Sequence, residues 1–206
     1  MQIVFLIMLF IIGACLGSFL CCQARRLHLR ASSSEARQSL GSRSVCLNCH
    51  RRLKWFDNLP IISWIFLRGK CRYCRHKIGI AEVLSEFGLG LGFVGLGTTF
   101  NVDTSSTLML INFIILLFFT TIIWFLAIYD GLYGELPVFF LYLSVAVAVI
   151  FLIVNEIIVL SSAPFSISDI TNPLLSTLIL GGLYLVLYLV SKGKWVGDGD
   201  WLLATA

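Results

Sequence analysis

The sequence has 206 residues, 58% of them hydrophobic and 13% charged, with a mean hydropathy of +0.93 and a formal net charge of +4. That composition excludes an ordinary soluble domain and points to a chain that crosses a membrane several times. The charge is uneven: thirteen of the fifteen Lys and Arg fall between Arg25 and Lys77, the other two are Lys192 and Lys194, and positions 78–191 hold none.

Met1 to Gln23 is an apolar run without a charge. It has no basic start and no small-x-small cleavage site, which argues against a signal peptide. Ile12-Gly13-Ala14-Cys15 loosely resembles a lipoprotein processing box, but the apolar run continues past the cysteine. The run is therefore read as a first membrane helix, with Gly13, Gly17 and Ser18 as a small-residue face for packing.

Residues 24–80 read as a basic, water-exposed insertion. Ala31 to Ser44 is rich in Ser and Arg, as a connector would be. Cys46-x-x-Cys49 and Cys71-x-x-Cys74 follow, with twenty-one residues between the pairs. Two such turns aim four thiolates at one ion, the arrangement of a zinc ribbon, and a structural Zn2+ would supply folding energy to so small a segment. The competing reading is reduced or redox-active thiols. His50 and His76 adjoin the pairs and read as surface residues. Cys15, Cys21 and Cys22 belong to the first apolar run, so the seven cysteines do not form a secreted disulfide framework.

Glu82 to Phe100 is apolar and carries five glycines, of which Gly88 and Gly92 form a GxxxG face. Glu86 follows Glu82 by one turn and would act as polar glue or as part of a site. Thr107 to Tyr129 is a clear membrane helix that ends at Asp130, before Gly131 and Gly134-Glu135. Leu136 to Leu160 spans next. Pro173 is expected to open the helix that continues through Leu174 to Val190. Lys192, Lys194 and the stretch Gly197-Asp198-Gly199-Asp200 follow, and Trp201 begins another apolar run.

Basic residues favour the cytoplasm, so the Arg25–Lys77 segment is expected there. Counting helices then brings Asp130 and Asp198/Asp200 to the same side, and Lys192 and Lys194 agree with that count. Two carboxylates in one poorly solvated site cannot both ionise easily. One would activate a water while the other protonates the scissile carbonyl or the departing amine. Either acid alone would also serve as a helix-end or interfacial residue. The expected fold is an all-α polytopic membrane protein of about five to six transmembrane helices with a zinc-ribbon-like insertion. Its divisions are 1–23, 24–80 and 81–206.

Three stretches carry a family resemblance. Gly17-Ser18-Phe19-Leu20 is similar to a GSFL signature. Cys46 to Ile78, with Trp55-Phe-Asp57-Asn58-Leu-Pro60, Ser63-Trp64 and Leu67-Arg68-Gly69-Lys70-Cys71, is similar to a cytoplasmic zinc segment. Gly197-Asp198-Gly199-Asp200 fits the GxGD motif of intramembrane aspartic proteases. Together they resemble the type IV prepilin leader peptidase / N-methyltransferases. The resemblance implies catalytic Asp130 and Asp200, and zinc ligands Cys46, Cys49, Cys71 and Cys74. It also implies a multi-pass enzyme of the cytoplasmic membrane acting on type IV prepilin or pseudopilin precursors, with no nucleic-acid partner.

Bifunctional members also methylate the new N-terminus with S-adenosylmethionine, a step that no motif here assigns to particular residues. Glu86 matches the acid of the family's second helix. Glu86, Glu135 and Asp198 are candidate contacts for a basic leader, with Gly197 and Gly199 allowing close backbone approach. Leu136-Pro137-Val138 departs from the family's Leu-Pro-Asp triplet, and Leu202 stands where a basic residue is expected. The family continues with further membrane helices where this chain stops at Ala206, so the peptidase core is expected to be incomplete. The main rival reading is a membrane-anchored zinc ribbon that binds a partner or acts as a scaffold without catalysis. A second rival is a transporter with a proton relay of intramembrane acids.

Overall fold

The computed structural model describes residues 2–32, 45–46, 48–49, 51–99, 106–162, 167–191 and 200–204. In lipid each backbone N–H and C=O must be satisfied within its own segment, so the apolar runs become helices. In chain order these are α1 (Gln2–Ser32), a 3-10 turn (Trp55–Asn58), α2 (Ile62–Phe66), α3 (Ile80–Thr99), α4 (Thr107–Tyr133), α5 (Val138–Ser162), α6 (Ile167–Ser191) and α7 (Asp200–Leu203). Among the described residues, α1, α3, α4 and α5 are long and apolar enough to cross a membrane. The protein is a multi-pass, all-helical membrane protein.

Three boundaries differ most from the expected ones. Helix α1 runs nine residues past Gln23. Ala24 to Ala31 contains no Gly or Pro and many good helix formers, so nothing stops it. Helix α4 carries Asp130 on its last turns and is closed by Gly134. That glycine sits at φ 66°, and its N–H donates to the Asp130 carbonyl at 2.7 Å, a left-handed cap. Helix α6 starts at Ile167, so Pro173 lies within it and does not open it. Membrane helices tolerate an internal proline when the freed carbonyl is satisfied elsewhere.

The chain forms two compact units. The first holds Met1–Asn101 with Ala127–Gly134, and the second holds Val102–Leu126 with Glu135–Ala206. In the first, α1 and α3 pack antiparallel on small residues. A Cβ on Gly13 would lie 2.7 Å from the Leu89 carbonyl oxygen, and one on Gly17 would lie 2.9 Å from the Glu86 Cα. Gly90 meets the Phe10 ring in the same way. The glycine expected in this contact was wrong by one alternation: Gly92 has nothing within 4 Å, while Gly90 and Gly97 face α1. The buried stripe of α3 follows Glu86, Leu89, Gly90, Phe93 and Gly97, the helical period of three and four. At the end of α4, Tyr133 stacks on His28 of α1, with ring centroids 3.7 Å apart and planes within 5°.

In the second unit, Ile122 and Leu126 of α4 pack against Leu141 and Val147 of α5. Leu203 of α7 rests on the same cluster, which fixes the short helix that Asp200 begins. Asn112 of α4 donates to Asn155 of α5 at 3.5 Å, a polar tie between apolar helices.

Candidate functional site

The two CxxC turns are built alike. An isolated antiparallel bridge closes each one, Val45 with Arg52 and Lys70 with Lys77. The Cys46 N–H donates to the Arg51 carbonyl at 3.0 Å, and the Cys71 N–H to the His76 carbonyl at 2.8 Å. Each chain reversal thus presents its pair of sulfurs inward. The four Sγ atoms of Cys46, Cys49, Cys71 and Cys74 all lie within 4.8 Å of one another, a cluster that could hold a metal ion. Tetrahedral Zn–S bonds of about 2.3 Å require sulfurs about 3.8 Å apart. The Cys46 and Cys74 sulfurs are 3.8 Å apart. The donor set and spacing therefore fit zinc.

The thiols are not equivalent. The backbone N–H of His76 and the Asn48 amide lower Cys74 to about 6, against some loss of hydration. The N–H of Arg51 pulls Cys49 down, but lost hydration and the neighbouring thiols outweigh it and raise Cys49 to about 11. One thiolate is thus favoured before a cation arrives, which suits metal capture. His76 is exposed, and His50 lies outside the described residues.

Asp57 joins the second turn to the Asp-Asn-Leu-Pro stretch. Its buried carboxylate accepts from Arg72 Nε at 2.9 Å and lies 2.8 Å from Arg72 Nη2. Its other oxygen accepts from the Lys54 N–H at 3.2 Å. Arg72 stands between Cys71 and Cys74, so this ion pair holds the 3-10 turn against the second knuckle. Sequence reasoning assigned Asp57 no role. A signal was present: Asp57 is the one acid among eight Lys and Arg in residues 51–77.

Glu86 is the second junction. It is buried on α3, where it accepts the Ile61 N–H at 2.6 Å and a hydrogen bond from the Ser18 side chain. The adjacent Ser85 donates its hydroxyl to the Gly17 carbonyl at 3.1 Å. Glu82 pairs with Arg25 of α1 at 2.6 Å. The Gly17-Ser18 pair, the residue after Pro60 and Glu86 therefore meet at one place. Their convergence joins the cysteine-bearing segment to the α1–α3 contact.

Asp130 is exposed on the last turns of α4, within the first unit, and Glu135 is exposed just beyond the Gly134 cap. Asp200 is half-buried at the start of α7, within the second unit. Gly197, Asp198 and Gly199 lie outside the described residues.

Comparison with known proteins places these features. The Bacterial Peptidase A24 N-terminal domain matches residues 11–100, which run from α1 through the cysteine turns to the end of α3. A prepilin leader peptidase/N-methyltransferase of Myxococcus xanthus is 37% identical over 89 residues, 43% of this chain and 25% of that protein. Its counterpart from Vibrio cholerae is 33% identical over 88 residues, 42% of this chain and 35% of that protein. One from Dickeya chrysanthemi is 35% identical over 108 residues, 44% of this chain and 38% of that protein. The matches thus span a quarter to under two fifths of those relatives' length. No solved structure matches the chain. Over residues 11–100, through the cysteine turns and the helix pair that carries them, this chain is similar to the bacterial peptidase A24 N-terminal domain.

Proposed function

We propose that the protein works as a membrane-embedded aspartic endopeptidase that removes the leader from type IV prepilin-like or pseudopilin precursors at the cytoplasmic face of the membrane. The observation that carries this reading is the A24 N-terminal match over residues 11–100, together with similarity to relatives named prepilin leader peptidase/N-methyltransferase. Acids at the end of α4 and the start of α7 support it further.

In this reading Asp130 and Asp200 are the catalytic residues. The ionised member takes a proton from water, and the hydroxide equivalent adds to the scissile carbonyl. The protonated member neutralises the developing oxyanion. Collapse of the tetrahedral adduct breaks the C–N bond, and the leaving nitrogen departs with a proton from the acid. Glu135, exposed and five residues after Asp130 in sequence, and Asp198 are leader contacts, while Gly197 and Gly199 admit the substrate backbone. Glu86, already engaged by Ile61 and Ser18, positions the zinc segment instead. Zinc on Cys46, Cys49, Cys71 and Cys74 is structural and takes no part in the cleavage step. N-methylation would draw its methyl group from S-adenosylmethionine, and we assign no residue of this chain to it.

The test is a time course of precursor conversion by protein expressed from the entire reading frame. Asp130→Asn and Asp200→Asn should each abolish cleavage, because Asn keeps the shape but cannot exchange the proton. Asp198→Asn should retain most activity and show weaker substrate affinity. Cleavage by both Asp130→Asn and Asp200→Asn would sink the aspartic mechanism and favour the scaffold reading. An active periplasmic reporter fused after Arg37 would refute the cytoplasmic placement.

A further inference from the structure

Helix α2 has an apolar face that its own unit leaves open. Ile62, Ile65 and Phe66 are spaced i, i+3 and i+4, so they share one side. They are 52%, 61% and 82% exposed, and Trp55 nearby in sequence is 77% exposed. Trp64, by contrast, turns inward over Gly69. Lys54 precedes this stretch, and Arg68 and Lys70 follow it, all three exposed.

The depth of this face can be read from α3. That helix has 20 residues, about 30 Å at about 1.5 Å per residue, which matches the hydrocarbon thickness. Glu86 stands six residues in from Ile80, about 9 Å along the axis. Helical side chains lean toward the N-terminus, so its carboxylate lies somewhat shallower. The Ile61 N–H, at the entrance to α2, is 2.6 Å from that carboxylate. Helix α2 therefore begins beside a membrane-spanning helix, below its mouth. Interfacial helices settle about 5–10 Å into the headgroup and acyl boundary.

We propose that α2 is a membrane-interface anchor. Ile62, Ile65 and Phe66 insert among the acyl chains, Trp55 sits at headgroup level, and Lys54, Arg68 and Lys70 bind anionic lipid headgroups. Two further features select lipid as the occupant. The segment is tethered at both ends to membrane helices, α1 and α3, which hold it at the bilayer. Residues 51–77 also carry eight Lys and Arg against a single acid, a charge that suits an anionic leaflet. The inference needs α3 to span a bilayer, and it stands whether or not the chain cleaves a precursor.

The test places a benzophenone-bearing amino acid at position 66 of the full chain, reconstituted in nanodiscs of phosphatidylethanolamine and phosphatidylglycerol. Position 62 serves as a second site should the first variant fail to fold, and exposed His76 is the control position. Irradiation should give about tenfold more lipid adduct, read by mass spectrometry, at 66 or 62 than at 76. In nanodiscs of phosphatidylcholine alone the yield should fall by about threefold or more. Adducts to a second copy or to another protein, or labelling no greater than at position 76, would overturn the anchor. An unchanged yield in neutral lipid would overturn the headgroup contacts and the proposal as stated.

Discussion

Replacing Asp57 by Ala should loosen the metal site without touching a ligand. The side chain of Asp57 is 1% exposed, while that of Arg72 is 45% exposed. Removal of the carboxylate costs Arg72 its two contacts, but the half-exposed guanidinium regains water. A hydrogen bond to a charged group contributes about 1.5–3 kcal/mol, and the Lys54 N–H loses a further acceptor. Rehydration of Arg72 brings the net cost to about 2–3 kcal/mol. Metal binding and folding of the knuckle are one equilibrium. The loss should therefore appear as roughly 30- to 150-fold weaker zinc retention, at tenfold per 1.4 kcal/mol. Asp57→Asn keeps one acceptor and should fall between. The assay is equilibrium competition with a chromogenic chelator on the full chain in detergent micelles. Unchanged zinc affinity in Asp57→Ala, measured beside a Cys74→Ser variant that does lose zinc, would refute the role of the Asp57–Arg72 pair.

Other outcomes test neighbouring parts of the structure. Cys46→Ser or Cys71→Ser should abolish stoichiometric zinc and lower the yield of folded protein; a metal-free wild type on elemental analysis would contradict the four-thiolate site. In metal-free protein at pH 7.5, iodoacetamide should modify Cys74 before Cys49. With Cys74 lowered to about 6 and Cys49 raised to about 11, only the first is mainly thiolate at that pH. Peptide mapping reads the order, and added zinc should protect both. Gly17→Val would place its Cβ on the Ser85 carbonyl, so α1 and α3 must separate, at about 1–3 kcal/mol. Its thermal midpoint in detergent should drop, whereas Gly92→Val, with nothing within 4 Å, should behave as wild type.

Much of this architecture is legible in the sequence because membrane solvation leaves few choices. A charge-free run long enough to cross the hydrocarbon core has to be a helix, and a pair of CxxC turns has few uses besides a metal. The small-residue face of Gly13, Gly17 and Ser18 was legible for the same reason, since nothing else brings two backbones so close. The partner glycine was not. Five glycines are spread along α3, and only the rotation set by Glu86 and Leu89 against α1 selects Gly90 over Gly92. Helix ends were missed where ordinary helix formers follow an apolar run, as in Arg25 to Arg30. The tie from Asp57 to Arg72 spans fifteen residues, and no local pattern encodes it.

The contact between Glu86 and Ile61 shows why some of these ties must be tertiary. Ile61 adopts φ 61° and ψ −50°, a conformation foreign to a β-branched residue. Such a backbone costs about 1–3 kcal/mol and persists only where its surroundings hold it. A hydrogen bond from its N–H to a carboxylate contributes about 1.5–3 kcal/mol, which is enough to offset that cost. The carboxylate in turn needs donors at membrane depth, and Ile61 and Ser18 supply them. Each group is unfavourable alone and acceptable with the other. Glu86→Ala should therefore do more than remove one bond: it would release the strained turn that leads into α2, while Glu86→Gln keeps an acceptor for Ile61. If hydrogen exchange at residues 59–66 is equally slow in wild type and Glu86→Ala, the turn is held by its own sequence, and the coupling between cysteine-bearing segment and helix pair lies elsewhere.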